Sequence, residues 1–79
     1  MEYRKLGNSG LKVSELSFGS WVTFNKQVDT SLAEKMFGTC FDAGINFFDN
    51  AEGYERGMSE IVMGEALKKL QRPRDSYCV

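Results

Sequence analysis

Two amphipathic helical segments alternate with three short apolar segments along most of this sequence, and that alternation most constrains the fold. Strands that are separated by helices pair in parallel, through right-handed crossover connections. A parallel sheet is buried on both faces, so it must be covered by helices or closed into a barrel. The pattern therefore predicts an α/β domain.

The first helix is predicted from Asp29 onward, where apolar residues recur with helical spacing. They line one wide face of a helix: Leu32, Ala33, Met36, Phe37, Cys40 and Phe41. Asp29, Thr30 or Ser31 can each cap its start, and Ser31 with Glu34 has the spacing of a capping box. Gly44 follows the last periodic residue and suits a left-handed end.

The second helix is predicted to begin at Ser59 and to be stopped by Pro73, which cannot continue a helix. Its apolar stripe is formed by Met63, Ala66, Leu67 and Leu70. The three predicted strands are Leu16–Gly19, Ile45–Asp49 and the chain end at 76–79.

A β-hairpin is predicted before the first of these strands. Tyr3–Leu6 and Leu11–Val13 mix apolar and charged residues, and they flank Gly7-Asn8-Ser9-Gly10. These four residue types tolerate the positive φ angles that tight turns require.

The composition and charge of the chain argue against several classes of function. Ten Lys and Arg against eleven Asp and Glu give a net charge of −1, without the basic excess of a nucleic-acid-binding protein. No apolar run approaches the roughly 18–20 residues that span a bilayer, and no secretory signal is recognisable, so we expect a cytoplasmic protein. Cys40 and Cys78 fall in apolar patterns and are interpreted as core residues. Without His or a Cys-x-x-Cys pair, no metal site is predicted.

The length is short for the predicted architecture. A (β/α)8 barrel takes about 250 residues, so a chain of 79 residues would be roughly its first third. Small domains below about 80 residues usually need disulfides or metals, and this sequence offers neither. We expect the chain either to be helped by a partner or to be part of something longer.

Candidate chemistry lies at the predicted carboxyl ends of the strands, where parallel α/β enzymes place their active sites. Ser20 and Trp21 follow the first strand, Asp49 ends the second, and Tyr54 comes five residues later. Each also has a plain structural interpretation. Asp49 could accept backbone N–H bonds at the strand end, Tyr54 could be an ordinary exposed loop residue, and Trp21 could be a core residue.

Several stretches resemble the aldo-keto reductase family, and together they cover essentially the whole chain. They are residues 3–14, 16–24, 43–54, 57–60 and 63–67. The third resembles the family's segment in which a strand-end Asp precedes the active-site Tyr by five residues. Trp21 with the downstream Gln27 is most similar to the branch that includes potassium-channel beta subunits and related bacterial reductases.

The resemblance implies a TIM barrel whose bottom is plugged by the N-terminal hairpin. Residues 1–15 would be that hairpin and residues 16–79 the first two to three β/α units, with the rest of the barrel missing. It also implies NADPH-dependent reduction of a small-molecule aldehyde or ketone to an alcohol. Asp49 and Tyr54 fill the first two places of the family's Asp, Tyr, Lys and His set. Ser20, Trp21, Gln27 and Asp49 match positions that contact the cofactor.

Some features depart from the family pattern. The Lys is expected just beyond Val79 and the His later still, and Asn50 stands where Thr is usual. The alternative function is an NADP-binding regulatory module, similar to a channel beta subunit, with weak or no turnover. A homo-oligomer is compatible with either function, and no membrane insertion is expected.

Overall fold

The computed structural model describes residues 1–21 and 28–79 of the chain. The strands are β1 (Tyr3–Lys5), β2 (Lys12–Ser14), β3 (Phe18–Gly19) and β4 (Phe48–Asp49), and the helices are α1 (Thr30–Asp42) and α2 (Met58–Leu70). Two short 3-10 turns, Tyr54–Gly57 and Arg74–Ser76, flank α2. This order is the mixed α/β pattern that the sequence predicts. A closed barrel is not visible in these residues.

The predicted hairpin is present. Strands β1 and β2 pair antiparallel, with Tyr3 opposite Ser14 and Lys5 opposite Lys12. Gly7 takes a φ of +58° in the connecting turn, a conformation that costs glycine nothing because it has no Cβ.

The second pair of strands is parallel, as predicted. Phe18 lies opposite Phe48 and Gly19 opposite Asp49, and directly before β4 a parallel bridge joins Phe47 to Cys78. The predicted strand at 76–79 is present only as this bridge, because Ser76 belongs to a 3-10 turn. The predicted first strand was too long, because Leu16 is 61% exposed and the ladder begins only at Phe18.

Helix α1 is capped at its start by Asp29, whose Oδ1 accepts the N–H of Leu32 at 2.9 Å. The alternative capping box of Ser31 and Glu34 is not the one used. The Thr30 hydroxyl instead donates to a Glu65 carboxylate oxygen on α2 at 3.0 Å.

The end of α1 is a left-handed glycine cap, as predicted. Gly44 has a φ of +91°, and its N–H donates to the Phe41 carbonyl at 3.0 Å. The N–H of Ile45 reaches back to the Cys40 carbonyl at 2.9 Å. This pair of bonds is a Schellman motif, which turns the chain sharply from α1 into β4.

The core lies between the two helices and the parallel strands. Its buried residues are Val28, Ala33, Phe37, Phe48, Val62, Met63 and Ala66. Phe37 of α1 and Phe48 of β4 are fully buried, and their rings meet edge to face with centroids 4.9 Å apart. Burying an aromatic side chain of this size contributes about 1.5–3 kcal/mol, so these two rings contribute strongly to holding β4 against α1. Helix α2 ends at Leu70, ahead of Pro73. Cys40 and Cys78 are half-buried free thiols.

The hairpin is attached at the start of β4. The Tyr3 hydroxyl donates to the Gly44 carbonyl at 2.7 Å, the Ser14 N–H donates to Asn46 Oδ1 at 2.8 Å, and the Asn46 N–H donates to Ser14 Oγ at 3.1 Å. Asp49 stands at the other end of β4, so the hairpin and Asp49 occupy opposite ends of the strand. Within the described residues, neither helix has the length and apolarity to cross a membrane.

Candidate functional site

Three of the predicted site residues, Ser20, Trp21 and Asp49, lie where β3 and β4 end side by side. Gly19 is the register partner of Asp49, and Ser20 and Trp21 follow directly. Parallel strands present their carboxyl ends at one edge, and this short pair does so with residues that are thirty positions apart in sequence. The expectation that Ser20, Trp21 and Asp49 share an edge is confirmed.

The Asp49 side chain is exposed at this edge. Across the strands it faces Gly19, where an added Cβ would lie only 3.1 Å from Oδ2. Within residues 1–21 and 28–79, no hydrogen-bond donor or cation is placed against the carboxylate. The interpretation that Asp49 accepts backbone N–H bonds therefore finds no support in the described part of the chain, and its lone pairs are available to a ligand.

Tyr54 lies against Trp21. The two rings are stacked with centroids 6.3 Å apart and an angle of 30° between their planes. Trp21 is 68% exposed, so the interpretation of Trp21 as a core residue is wrong, while Tyr54 is half-buried. The pair presents a broad aromatic surface next to a strand end that carries a carboxylate.

The chain leaves Tyr54 through a left-handed turn. Glu55, Arg56 and Gly57 have φ angles of 48°, 54° and 90°. A non-glycine residue in this region costs about 1–2 kcal/mol, so two in succession are held there by the surrounding structure. The turn delivers the chain directly into α2 and fixes where Tyr54 stands relative to that helix.

The Ser20 hydroxyl points inward. Ser20 is fully buried, and its Oγ donates to the Asp49 carbonyl at 2.8 Å. The other residue expected from the resemblance to contact a cofactor, Gln27, lies outside the described residues. A direct contact of Ser20 or Gln27 with a cofactor stays a prediction.

Sequence reasoning missed two further residues at this edge. Asn50 donates from Nδ2 to the Ser59 carbonyl at 3.1 Å, and the Ser59 hydroxyl donates to the Ser20 carbonyl at 3.4 Å. The sequence marks Ser59 only as a helix start and Asn50 only as a departure from the family pattern. The available signal was that both polar residues lie next to a predicted strand end or helix start.

The exposed groups fit a ligand that carries hydroxyl groups and a planar ring. A carboxylate with free lone pairs can accept hydrogen bonds from ribose hydroxyls, and an exposed indole offers a flat apolar face to a planar ring. Asp49 and Trp21 supply these two features at one edge. Among the described residues, no three His, Cys, Asp or Glu side chains converge in a way that could hold a metal ion.

A separate cavity of about 380 Å³ lies between α2 and the chain end. Its lining includes Met63, Leu67, Tyr77 and Val79, and neither Asp49 nor Tyr54 contributes to it. The cavity is therefore distinct from the edge that carries the candidate chemistry, although Asn50 contacts both regions.

The sequence is similar to known proteins. The profile of the Aldo/keto reductase family matches residues 15–79. A protein of Oryza sativa subsp. japonica named "Probable voltage-gated potassium channel subunit beta" is 53% identical over 79 residues, which are all of this chain and 24% of that protein. A protein of the same name from Arabidopsis thaliana is 54% identical over 70 residues, 89% of this chain and 21% of that protein. The chain thus spans about a quarter of the length of these curated relatives.

Proposed function

The chain belongs to the aldo/keto reductase family, and from that premise we propose that it is the N-terminal part of an NADPH-dependent carbonyl reductase. In this proposal residues 1–15 plug the bottom of a (β/α)8 barrel, and residues 16–79 form its first β/α units. The substrate is a small aldehyde or ketone, and the protein is cytoplasmic.

One observation supports the proposal most directly: Asp49 and Trp21 leave the same strand edge, with Tyr54 stacked on Trp21. Bound NADPH would supply a hydride to the carbonyl carbon. The Tyr54 hydroxyl would donate its proton to the carbonyl oxygen and, before that, hold the oxygen by a hydrogen bond. The exposed Asp49 carboxylate would bind the ribose, and it would also orient a lysine from the following strand.

The lysine matters because tyrosine is an acid of pKa about 10 in ordinary surroundings. A nearby ammonium group favours the phenolate and so makes the phenolic proton easier to transfer near neutral pH. In this proposal the lysine comes from the chain beyond Val79, where the family resemblance expects it. Trp21 and Tyr54 together would shield the reacting carbonyl from water on one side.

The test is the Tyr54→Phe variant of the complete protein that contains this chain. Removing a general acid typically costs about 10²–10⁴-fold, so we expect carbonyl-dependent NADPH oxidation to fall at least a hundredfold. NADPH affinity, measured by quenching of protein fluorescence, should change little. Tyr3→Phe is the matched control, because Tyr3 lies on the hairpin at the opposite end of β4 and should keep full activity. Full activity in Tyr54→Phe would refute the proposal.

A second candidate function is a regulatory module that binds NADP and acts on a channel. The relatives that are 53% and 54% identical and carry the name of a channel subunit favour it. It predicts weak turnover and co-purification with a membrane channel. Brisk turnover by a homo-oligomer that carries no channel would decide for the reductase.

A further inference from the structure

A buried hydrogen-bond network lies behind the exposed edge. Ser20 and Ser59 are 0% and 1% exposed, which is rare for hydroxyl side chains and costs free energy unless they are hydrogen-bonded. Both are bonded to backbone. Ser20 Oγ donates to the Asp49 carbonyl at 2.8 Å, and Ser59 Oγ donates to the Ser20 carbonyl at 3.4 Å.

Asn50 completes the network. Its Nδ2 donates to the Ser59 carbonyl at 3.1 Å, and its Oδ1 accepts the N–H of Ala51 at 2.8 Å. The three side chains therefore connect the end of β3, the end of β4 and the first turn of α2. These are the three elements that carry Trp21, Asp49 and the segment leading from Tyr54.

The network fixes the backbone at the ends of β3 and β4, and the positions of the exposed Asp49 and Trp21 side chains depend on that backbone. The Asp49 carboxylate has no hydrogen bond of its own within the described residues, so the Asp49 main chain sets the point from which this side chain leaves the strand. The Ser20 hydroxyl has only one proton, and it is already given to the Asp49 carbonyl. A fully buried hydroxyl so engaged is poorly placed to donate to a ligand.

We infer that the Ser20 hydroxyl, supported by Ser59 and Asn50, is a positioning group that holds the Asp49 main chain, and with it the base of the carboxylate, in place for catalysis rather than a group that binds the cofactor. The inference rests on the proposed function, because Asp49 must matter to the reaction. It assigns to Ser20 a different role from the direct cofactor contact implied by the family resemblance.

The test compares Ser20→Ala with Ser14→Ala in the complete protein. Ser14 is the matched control, because it is also a buried serine whose hydroxyl donates to a backbone carbonyl, that of Leu16 at 2.6 Å. It lies on the hairpin side, away from Asp49. Both variants lose one buried hydroxyl, and Ser14→Ala also removes the acceptor of the Asn46 N–H, so it should lose at least as much thermal stability as Ser20→Ala.

The measurements are the single-turnover rate of NADPH oxidation with 4-nitrobenzaldehyde at saturating NADPH and, separately, the Kd of NADPH. For Ser20→Ala we expect the rate to fall about tenfold, because displacing a catalytic group by a fraction of an ångström lowers the rate, while the Kd stays within about twofold. Ser14→Ala should keep the rate. If Ser20→Ala does not fold, Ser59→Ala is measured instead, and a smaller fall in rate with unchanged Kd is expected.

Four results would overturn the inference. A Kd raised about tenfold with an unchanged saturated rate would make Ser20 a cofactor ligand. Equal rate losses in Ser20→Ala and Ser14→Ala would make its role general stability. An unchanged rate in Ser20→Ala would refute positioning while leaving the reductase proposal intact, provided that Tyr54→Phe is inactive. An active Tyr54→Phe would instead refute the proposed function and the inference with it.

Discussion

Replacing Gly19 with alanine moves the Asp49 carboxylate without removing any hydrogen-bonding group. The added Cβ would lie 3.1 Å from Asp49 Oδ2, 3.6 Å from Oδ1 and 3.7 Å from Cγ. Ordinary van der Waals contact begins near 3.4 Å, so the carboxylate must shift by about 0.3 Å. Gly19 does not have a positive φ, so alanine brings no backbone strain.

The size of the effect follows from that displacement. A misplacement of 1 Å can cost about a hundredfold in rate, and scaling its logarithm to 0.3 Å gives roughly a fourfold loss. Stability should not fall, because replacing glycine by alanine at a compatible position stabilises by about 0.4–1 kcal/mol through the unfolded chain. We therefore expect a variant that is as stable as the parent and about four times slower in single-turnover reduction.

The control for this prediction is Gly38→Ala in α1. Its Cβ would lie 3.8 Å from Leu70 Cδ2, an ordinary contact, and a helix-interior glycine gains about 0.5–1 kcal/mol on replacement by alanine. Gly38→Ala should raise the thermal midpoint and keep the parental rate. If Gly19→Ala keeps the parental rate, the Asp49 carboxylate is not held in a catalytically sensitive position. If Gly38→Ala also loses rate fourfold, the assay responds to the rigidity of the protein and not to the position of the carboxylate.

Three other predictions concern the scaffold. Gly44→Ala should lower the free energy of unfolding by about 2 kcal/mol in denaturant titration, because Gly44 has a φ of +91° and its Cβ would lie 2.9 Å from the Tyr3 hydroxyl that bonds to it. Phe37→Ala should cost about 3–5 kcal/mol in the same assay, since Phe37 is fully buried against Phe48. Burial raises the pKa of the Cys40 thiol, so its thiolate fraction at pH 8 is reduced. Timed iodoacetamide labelling followed by peptide mass spectrometry should therefore show that Cys40 reacts more slowly than free cysteine. The labelling rate should still rise above pH 9.

Local sequence signals predicted the helices and turns well, because the determinants of these elements are close in sequence. The apolar period of α1 and the glycine at its end needed no distant information. The choice of its cap did need such information. Asp29, Thr30 and Ser31 all carry a suitable oxygen, and Thr30 is engaged by Glu65, which is thirty-five positions away on α2.

The site was predictable in part. Topology alone places the residues after β3 beside the residue that ends β4, which is why Ser20 and Asp49 were expected to meet. Whether Trp21 would face solvent or the core is decided by packing across elements, and the structure settles it with an exposed indole stacked on Tyr54. The roles of Gly19 and Ser59 depend on distances of a few tenths of an ångström, which no residue pattern encodes.

The apolar core and the polar network act on Asp49 at different scales. Side chains alternate along a strand, so slipping β4 by one residue against β3 would turn Phe48 outward and Asp49 inward. Phe48 is fully buried and packs edge to face on Phe37 and Phe41, so the slip would cost about 1.5–3 kcal/mol for that ring alone. The core therefore decides that Asp49 faces the exposed edge at all.

The strand register can change only in steps of one residue, whereas the packed rings leave the carboxylate free to move by tenths of an ångström. The Ser20 hydroxyl and the absent Cβ of Gly19 control this smaller movement. Substitutions in the core should consequently change the fraction of protein that is folded. Substitutions at Ser20 and Gly19 should instead change the reduction rate of the folded protein.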